Sequence, residues 1–239
     1  MTAERQKELK ERYEDVLERI ERARERRGTG EPVTLLAASK TMPGEDIVYL
    51  AESCGLRLCG ENHAQEFRDK FDAVTTTGCR MDMIGHLQTN KVKYVAGRAG
   101  LIHSLDSVRL AEAIQEQCVK TGTTQDVLVE INIGMEETKT GVSPTEFPRL
   151  MEEIAGFDRL NVRGMMTMAP KCTENSEIRK YFKESYKIFL DFFDKTTHNI
   201  GERILSMGMS DSFETAIEEG ATLVRVGSAI FGSRSAPLK

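Results

Sequence analysis

Short apolar segments recur eight times along the 239-residue chain, and each is followed by a segment with helical periodicity. Apolar runs of about four to eight residues, closed by Gly or Pro, are typical of strands buried on both faces. Eight such units in a chain of this length predict an α/β fold, a (β/α)8 TIM barrel, with an open doubly wound sheet as the alternative. The predicted strands lie at residues 33–39, 56–59, 81–84, 101–103, 126–133, 162–166, 204–206 and 222–226.

The first 27 residues precede the first predicted strand and have the pattern of one long helix. Charged residues of both signs alternate around a sparse apolar set, which helical spacing places on one face. We expect this face to cover a core, and a coiled-coil partner is the alternative. The apolar set is Leu9, Tyr13, Val16, Leu17 and Ile20, and the Gly- and Pro-containing segment 28–32 ends the helix.

The segments between the predicted strands supply the outer helices. They are predicted at residues 45–53, 63–73, 88–96, 107–120, 144–155, 176–194 and 210–219, with a short helical segment after residue 228. No linker, low-complexity tract or change of composition divides the chain. We therefore predict one domain over residues 1–239, made of an N-terminal helix at 1–30 and a barrel at 33–232.

The distribution of charge limits the classes of partner. The formal net charge is −5, and Lys and Arg are interspersed with Asp and Glu rather than collected in a basic tract. Such a chain lacks the positive surface that non-specific nucleic-acid binding requires. We therefore expect no nucleic-acid partner.

Cysteine usage and the length of the apolar runs indicate a cytoplasmic protein. The five cysteines are odd in number and have no CxxC spacing, so neither a disulfide framework nor a zinc site is predicted, and reduced thiols are expected. Residues 1–27 are too charged for a secretory signal and too acidic for a transit peptide. No apolar run approaches the ~20 residues that span a bilayer, so no membrane partner is expected.

The carboxyl ends of barrel strands carry the functional groups, and their positions follow from the predicted strands. The first strand ends on Lys40, an amine attached to an apolar run. A desolvated lysine there can act as a nucleophile toward a carbonyl, whereas a solvated loop lysine is the alternative. The other strand ends present Glu61 and Asn62, His86, His103 and Ser104, Asn132, Met166 and Thr167, residues 206–210, and Gly227 with Ser228.

The ends of the last two strands have the composition of a phosphate site. Residues 206–210 lead into one predicted helix, and Gly227 with Ser228 opens another. Small residues, hydroxyl groups and free backbone N–H groups therefore converge where barrels commonly hold a phosphate. The alternative is that Ser210 and Ser228 are ordinary N-caps of these helices.

Arg225 lies within the apolar run that forms the last predicted strand. Alternation places it on the opposite face from Val224 and Val226, either among the outer helices or inside the barrel. An arginine in so apolar a run needs a partner. That partner is a structural carboxylate, or a ring nitrogen or oxygen of a ligand in the barrel mouth.

A lysine at the first strand, a phosphate site at the last two and an arginine between them match the requirements of pyridoxal 5′-phosphate (PLP), which needs an amine for its aldehyde and a cradle for its phosphate. The sequence also resembles the pyridoxal phosphate homeostasis protein family over nearly the whole chain. The resemblance lies in ASKT at 38–41, GEN at 60–62, IGHLQTNK at 84–91, GMMTM at 164–168, LSMGMSD at 205–211 and VRVGSAIFG at 224–232.

The resemblance implies an alanine-racemase-like barrel of PLP fold type III that carries the cofactor as an internal aldimine on Lys40. It implies that Arg225 faces the pyridine nitrogen, where its permanent charge makes the ring a poorer electron sink. Lys139 matches a lysine that the family associates with cofactor transfer, and a solvated loop lysine is the alternative. The resemblance also puts Asn62 beside the cofactor and Met166 at the same mouth, and assigns the phosphate to Ser206, Ser210, Gly227 and Ser228.

No second catalytic base is evident from the sequence. Racemases with this barrel, as the resemblance implies, use a tyrosine from the partner subunit of a two-domain fold, whereas this sequence ends at Lys239, shortly after Gly232. His86 and His103 are the remaining candidates by position. All tyrosines fall in predicted helices, namely Tyr13, Tyr49, Tyr94, Tyr181 and Tyr186.

We therefore expect a non-enzymatic PLP-binding protein that buffers and carries the cofactor and maintains vitamin B6 and linked amino-acid homeostasis. The expected partners are PLP and PLP-dependent apo-enzymes, and the missing second domain predicts a cytoplasmic monomer. An active racemase or decarboxylase of the same barrel class is one alternative. A barrel that binds another phosphorylated metabolite, with Lys40 as a point charge, is the other.

Overall fold

Eight parallel strands form the centre of the fold in the computed structural model, which describes residues 1–136, 138–193 and 203–232. The strands are β1 (Thr34–Ala38), β2 (Leu58–Glu61), β3 (Arg80–Met83), β4 (Ile102–Leu105), β5 (Gln125–Ile131), β6 (Leu160–Thr167), β7 (Ile204–Ser206) and β8 (Leu223–Val226). They pair in chain order, and β8 returns to pair with β1. The sheet is therefore a closed barrel, as predicted, and not an open doubly wound sheet.

One α-helix precedes the barrel, and an α-helix on its outside follows each strand except β3, which is followed by a 3-10 helix. The α-helices are α1 (Ala3–Arg27), α2 (Gly44–Cys54), α3 (Ala64–Thr75), α4 (Val108–Thr121), α5 (Phe147–Ile154), α6 (Asn175–Phe193), α7 (Phe213–Glu218) and α8 (Ser228–Phe231). The helix predicted at 88–96 is a shorter 3-10 helix, Thr89–Tyr94, in which Val92 is the buried residue. With so little surface to bury, packing does not extend this turn into an α-helix. Residue 194 of the predicted sixth outer helix and residues 233–239 of the predicted domain lie outside the described residues.

Helix α1 is defined at both ends by local capping. The Thr2 hydroxyl accepts a hydrogen bond from the Arg5 amide at 3.2 Å, and Gly28 ends the helix with a φ of +74°. The predicted apolar face is buried except for Leu17, which is 41% exposed, so its assignment to that face is wrong. Leu17 lies at the edge of the apolar face, on the part of the helix surface that is exposed to solvent. The buried residues are Leu9, Tyr13, Val16, Ile20 and Ala23.

Helix α1 packs across the place where the barrel closes. It contacts α2, which follows the first strand, and α7 and α8, which flank the last. The Arg5 guanidinium pairs with Asp46 of α2 at 2.7 Å and donates to the Phe231 carbonyl of α8 at 3.0 Å. Arg19 pairs with Glu214 of α7 at 3.0 Å. The prediction that α1 covers a core is therefore confirmed, and the chain's own helices cover its apolar face.

The interior of the barrel combines apolar layers with a polar group. One apolar layer consists of Leu36, Leu58 and Leu223, and the other of Leu101, Leu128 and Met166. The intervening strand residues point outward into the core beneath the helices, as the alternation of a buried parallel strand requires. The polar group consists of Asp82, His103, Ser206 and Arg225, all of them buried.

The remaining predictions of composition can be compared with the described residues. All five cysteines are free. Within the described ranges, no helix combines the length and apolar character needed to cross a bilayer. No group of three or more His, Cys, Asp or Glu side chains in the same ranges is arranged to hold a metal ion.

Candidate functional site

A cleft of about 500 Å³ opens at the carboxyl ends of the strands, and we call it the main cleft because most of the predicted site residues line it. Predicted site residues from four loops meet there, namely Lys40, Asn62, Ser210, Arg225, Gly227 and Ser228. The structure places the other two predicted site residues beneath the cleft. Met166 packs inside the barrel with Leu101 and Leu128, and the Ser206 hydroxyl is bonded to Arg225.

Barrel closure brings Lys40 next to the loop after the last strand. Strands β1 and β8 are neighbours, with Ala37 in register with Val226. The two strand ends approach so closely that a Cβ on Gly227 would lie 2.9 Å from the Ala38 carbonyl oxygen. Glycine is therefore required at 227, because a side chain would separate the lysine loop from the loop that follows β8.

The Ser210 hydroxyl joins the loops after β7 and β8. It accepts hydrogen bonds from the backbone N–H groups of Gly227 at 3.1 Å and Ala229 at 3.3 Å. Neither predicted N-cap holds its helix: Ser212 occupies the N-cap position of α7, and Gly227 occupies that of α8. The two loops thus meet at one end of the main cleft, where Ser210 keeps its hydroxyl hydrogen and Ser228 adds a second hydroxyl, and such donors suit a phosphate.

Arg225 lies inside the barrel and is 5% exposed. Its Nη1 donates to the Ser206 hydroxyl at 2.6 Å, and its Nη2 donates to the Thr167 carbonyl at 3.0 Å. Among the described residues it forms no ion pair. The alternative of a structural carboxylate partner is therefore not observed. A guanidinium has five N–H donors, so Arg225 retains some for a ligand in the main cleft.

Burial dominates the protonation equilibrium of Arg225. It lowers the pKa of the guanidinium to about 10, while the negative charge of Glu130 acts in the opposite direction. Arg225 therefore stays charged at neutral pH. Glu130 is itself buried, its pKa is raised by that burial, and one of its oxygens accepts from Thr140 at 2.7 Å.

A chain of buried hydrogen bonds extends from Arg225 toward the opposite end of the barrel. The Ser206 hydroxyl lies 3.2 Å from Nδ1 of His103, whose Nε2 lies 3.2 Å from a carboxylate oxygen of Asp82. The same oxygen accepts from Arg80 at 3.1 Å. Burial lowers the pKa of His103 although Asp82 opposes the shift.

These contacts define one arrangement of protons. Asp82 accepts only, so the neutral imidazole of His103 carries its hydrogen on Nε2 and accepts at Nδ1 from the Ser206 hydroxyl. The Ser206 oxygen is then free to accept from Arg225. Ser206 and His103 therefore fix the orientation of the guanidinium from below the main cleft.

The backbone beside Lys40 is strained. Thr41 has a φ of +65°, a left-handed conformation that is rare for a β-branched residue. Its amide donates to a carboxylate oxygen of Glu66 at 2.7 Å, which holds the turn in place. Strain of this kind is commonly found at functional sites, where the surrounding structure imposes it. Here it sets the direction in which the chain leaves Lys40.

A buried network under this turn ties β1 to β2 and α3. Glu61 is fully buried, and its Oε1 accepts from the Ser39 hydroxyl at 2.7 Å and from the Lys70 ammonium at 2.8 Å. Lys70 also pairs with Glu66 at 3.2 Å. Burial raises the pKa of Glu61 against the effect of Lys70. Glu61 is one of the residues predicted at the strand ends. It does not line the main cleft and instead supports the loop that carries Lys40.

The other sequence candidates lie away from the main cleft. The five tyrosines are all in helices, as predicted, and none lines the main cleft. His103 is enclosed in the barrel, and His86 lies 3.6 Å from Asp106 on the surface. Lys139 pairs with Glu136 at 3.0 Å and does not line the main cleft, so its part in cofactor transfer stays a prediction.

The structure adds lining residues that the sequence argument did not select. Lys171 enters the main cleft from the loop after β6, and Met209 and Asp211 enter from the loop after β7. Met168 lines the cleft where Met166, two positions earlier, does not. Lys171 lies four positions beyond the end of β6, so following each strand end further along its loop would have identified it.

The barrel and the lysine at its first strand define the class to which the protein belongs. Residues 14–235 match the family model described as alanine racemase, N-terminal domain. Within that class, a pyridoxal phosphate homeostasis protein of Aquifex aeolicus is 44% identical over 225 residues, covering 94% of this chain and 97% of the relative. The chain belongs to the family of pyridoxal phosphate homeostasis proteins.

Solved structures agree with this assignment. The crystal structure of an unknown protein from Bifidobacterium adolescentis has a TM-score of 0.86 and 33% identity, covering 97% of each chain. The structure of PipY from Synechococcus elongatus with PLP bound has a TM-score of 0.76 and 28% identity, covering 88% of this chain and 100% of PipY. The predicted family and barrel class are confirmed.

Proposed function

We propose that this chain binds PLP in the main cleft, with Lys40 attached to the cofactor's aldehyde carbon, and that it buffers and carries the cofactor. The observation that supports this most strongly is that Lys40 and a buried Arg225, which has no ion-paired carboxylate among the described residues, line one cleft together with the Ser210 and Gly227 loops. PipY, a solved relative, has PLP bound, and the curated relatives are named for PLP homeostasis.

The residues of the main cleft fit the functional groups of PLP. Lys40 supplies a primary amine, and among the described residues no carboxylate pairs with it. Ser210 and Ser228 supply hydroxyl donors for a phosphate, and Gly227 allows the loops that carry them to approach Lys40. Arg225 supplies N–H donors for the ring nitrogen. Asn62 and Met168 line the same cleft. In this proposal Ser206 acts through Arg225, and Met166 supports the barrel beneath it.

The chemistry that PLP supplies when bound is an aldehyde for amines and a ring that withdraws electrons. Arg225 limits the second property, because its positive charge beside the ring nitrogen disfavours protonation of that nitrogen. The hydrogen bonds from Arg225 to Ser206 and Thr167 hold the charge in place. Arg225 therefore favours holding the cofactor over abstracting protons from a substrate.

The set of side chains in the main cleft also favours binding over turnover. Its titratable lining groups are Lys40, Lys171, Asp211 and Arg225. No tyrosine or histidine of the described chain joins them, so a two-base racemase would have to use Lys171 or Asp211, both of which are exposed at the rim. The family name, homeostasis protein, agrees with a binding role.

The test is borohydride reduction of the PLP-saturated protein followed by mass spectrometry of its peptides. We expect one pyridoxyl group, on Lys40, and its loss in Lys40→Ala. Lys171→Ala is the matched control, because Lys171 is the other lysine of the main cleft, and it should leave the labelling of Lys40 unchanged. Absence of any reducible adduct would contradict the proposal and favour a barrel for another phosphorylated metabolite.

Incubation of the PLP-loaded protein with amino acids in deuterated water distinguishes a carrier from a racemase. We expect no incorporation of deuterium at the α-carbon. Incorporation that is lost in Lys40→Ala would instead assign the chain to the active racemases or decarboxylases of this barrel class.

We further propose that the protein is a cytoplasmic monomer that delivers PLP to PLP-dependent apo-enzymes. The free cysteines and the lack of a described membrane-spanning helix support the location, and the self-contained main cleft supports a monomer. Light scattering should give a mass near the 26.8 kDa of one chain.

A further inference from the structure

Another cleft that borders Lys40 has a volume of about 510 Å³, and we call it the outer cleft. It is formed by the loops that follow β1, β2 and β3. Lys40 and Asn62 line both clefts. A group seated in the outer cleft therefore approaches the same lysine that the proposed function assigns to the cofactor.

The outer cleft is lined by cations and hydrogen-bond donors. Its lining includes Lys40, His63, Gln65, His86, Gln88 and Lys91. No Asp or Glu lines it, although the chain as a whole is acidic. Two acids contact lining residues from behind: Glu66 accepts from the Thr41 amide and pairs with Lys70, and Asp106 lies 3.6 Å from His86. The two lysines of the lining, Lys40 and Lys91, have no carboxylate partner among the described residues.

Lys91 is the strongest anion-binding group of the outer cleft apart from Lys40. It forms no ion pair with a carboxylate in the part of the chain that the structure describes, and its ammonium lies 5.9 Å from the centre of the Tyr94 ring. Lys91 is half-buried on the 3-10 helix and lines the outer cleft. An ammonium without a counter-ion in an acid-free cleft is suited to bind an anion.

The walls of the outer cleft are held together closely. The Ile84 amide donates to the Glu61 carbonyl at 2.9 Å, so the loops after β2 and β3 begin side by side. A Cβ on Gly85 would lie 2.3 Å from the Asn62 carbonyl oxygen, so these loops touch through a position that admits only glycine. The third wall is the strained turn at Thr41. The outer cleft is therefore a fixed shape rather than a gap between independent loops.

We propose that the outer cleft binds the carboxylate of an amino acid, whose amine then displaces Lys40 from the cofactor. This inference rests on the proposed function. In the exchange, the amine nitrogen forms a double bond to the aldehyde carbon as the bond from that carbon to Lys40 Nζ breaks. The two protons of the incoming amine pass to Nζ, and no oxidant or reductant is needed. The outer cleft thus gives bound PLP a route of release that depends on free amino acids.

The experiment compares three amines that differ in their anionic group. The PLP-loaded protein is mixed with glycine, ethanolamine or O-phosphoethanolamine at equal concentrations of unprotonated amine, and the fraction of Lys40 still carrying the cofactor is measured by borohydride quenching and mass spectrometry. We expect glycine to displace Lys40 at about fivefold lower concentration than ethanolamine, the size of effect that a partly exposed ion pair supports.

Variants of the 3-10 helix assign that preference to the outer cleft. Lys91→Gln should reduce the ratio of glycine to ethanolamine to about one, and His86→Gln should reduce it in part. Lys93→Gln is the matched control, because Lys93 is an exposed lysine of the same helix that does not line the cleft. Circular dichroism and thermal unfolding confirm that each variant is folded, since all three positions are at the surface.

Three outcomes would overturn the proposal. The wild-type protein could show no preference for glycine, or the preference could persist in both Lys91→Gln and His86→Gln. A Lys91-dependent preference for O-phosphoethanolamine over glycine would assign the outer cleft to phosphates instead. If Lys40 is never labelled, the proposed function fails and not the outer cleft, so the two failures are distinguishable.

Discussion

At the scale of single residues, the buried hydroxyl of Ser206 connects two groups that come from other strands. It accepts from the Arg225 guanidinium at 2.6 Å and lies 3.2 Å from Nδ1 of His103. Serine is the smallest side chain that can accept from one of these groups and donate to the other. The position of Arg225 against the main cleft therefore depends on a residue that the cleft itself does not expose.

Replacing Ser206 with alanine should leave an N–H of Arg225 and a ring nitrogen of His103 without partners. We expect the free energy of unfolding to fall by about 1–3 kcal/mol, the cost of leaving a buried polar group unpaired, and the affinity for PLP to fall with it. Urea denaturation and a cofactor titration measure the two effects.

The control for this change is Ser185→Ala in α6. Ser185 is also fully buried, but both of its partners are neutral: its hydroxyl donates to the Tyr181 carbonyl at 2.9 Å and lies 3.1 Å from the Thr167 hydroxyl. Its loss should cost about 1 kcal/mol or less and leave PLP affinity unchanged. Equal effects of the two substitutions on PLP affinity would contradict the positioning role of Ser206.

At the scale of elements, α1 closes the barrel through one apolar face. Leu9 is fully buried on that face and Leu17 is 41% exposed. A change to alanine alters helix propensity equally at both positions but removes buried packing only at Leu9, so comparing the two isolates the contribution of packing. Leu9→Ala should lower the free energy of unfolding by about 2–5 kcal/mol, whereas Leu17→Ala should change it by less than about 0.5 kcal/mol. Thermal or urea unfolding distinguishes this from a helix that is only loosely attached, for which both changes would be small.

The order of the elements could be predicted from the sequence because apolar runs and helical periods are local features. The barrel then brought Lys40, Arg225 and the serine and glycine loops together, as the strand ends predicted. The resemblance assigned Ser206 to the phosphate, and its contact with His103 could not be predicted, since His103 lies 103 positions away and the contact depends on which residues share a layer of the barrel. The 3-10 form of the helix at Thr89–Tyr94 was not predicted, because helical periodicity does not distinguish a short 3-10 helix from an α-helix. The difference depends on how much surface the helix buries, which the sequence does not give.

At the scale of the whole molecule, the buried titratable groups predict how stability depends on pH. The pKa of His103 is lowered in the folded protein, so the unfolded chain takes up a proton first as the pH falls below about 6.5. The contribution of His103 to the free energy of unfolding is therefore fully present above that pH. It decreases on acidification by at most about 1.4 kcal/mol per pH unit.

Glu61 and Glu130 act in the opposite direction. Their pKa values are raised in the folded protein, so their contribution to stability is present at low pH and decreases as the pH rises through the folded pKa. The substitution His103→Gln retains both carboxyl groups and removes the histidine. We expect urea denaturation between about pH 7 and pH 5.5 to show a smaller acid-induced loss in His103→Gln than in the wild-type protein. Identical slopes would show that His103 is not the group responsible.

Helix α1 contacts the helices beside the first and the last strand of the barrel, and this has a consequence for the order of folding. Arg5 donates to the Phe231 carbonyl across 226 positions of the chain, and the Arg19 partner Glu214 lies 195 positions away. Because α1 precedes its partners in the chain, it cannot complete these contacts until residues 214–231 have been synthesised. Contacts of such high sequence separation slow folding, and until they form the apolar face of α1 is exposed. The nascent chain therefore carries an uncovered amphipathic helix until α8 has been made, and Phe231 of α8 both lines the main cleft and accepts the hydrogen bond from Arg5.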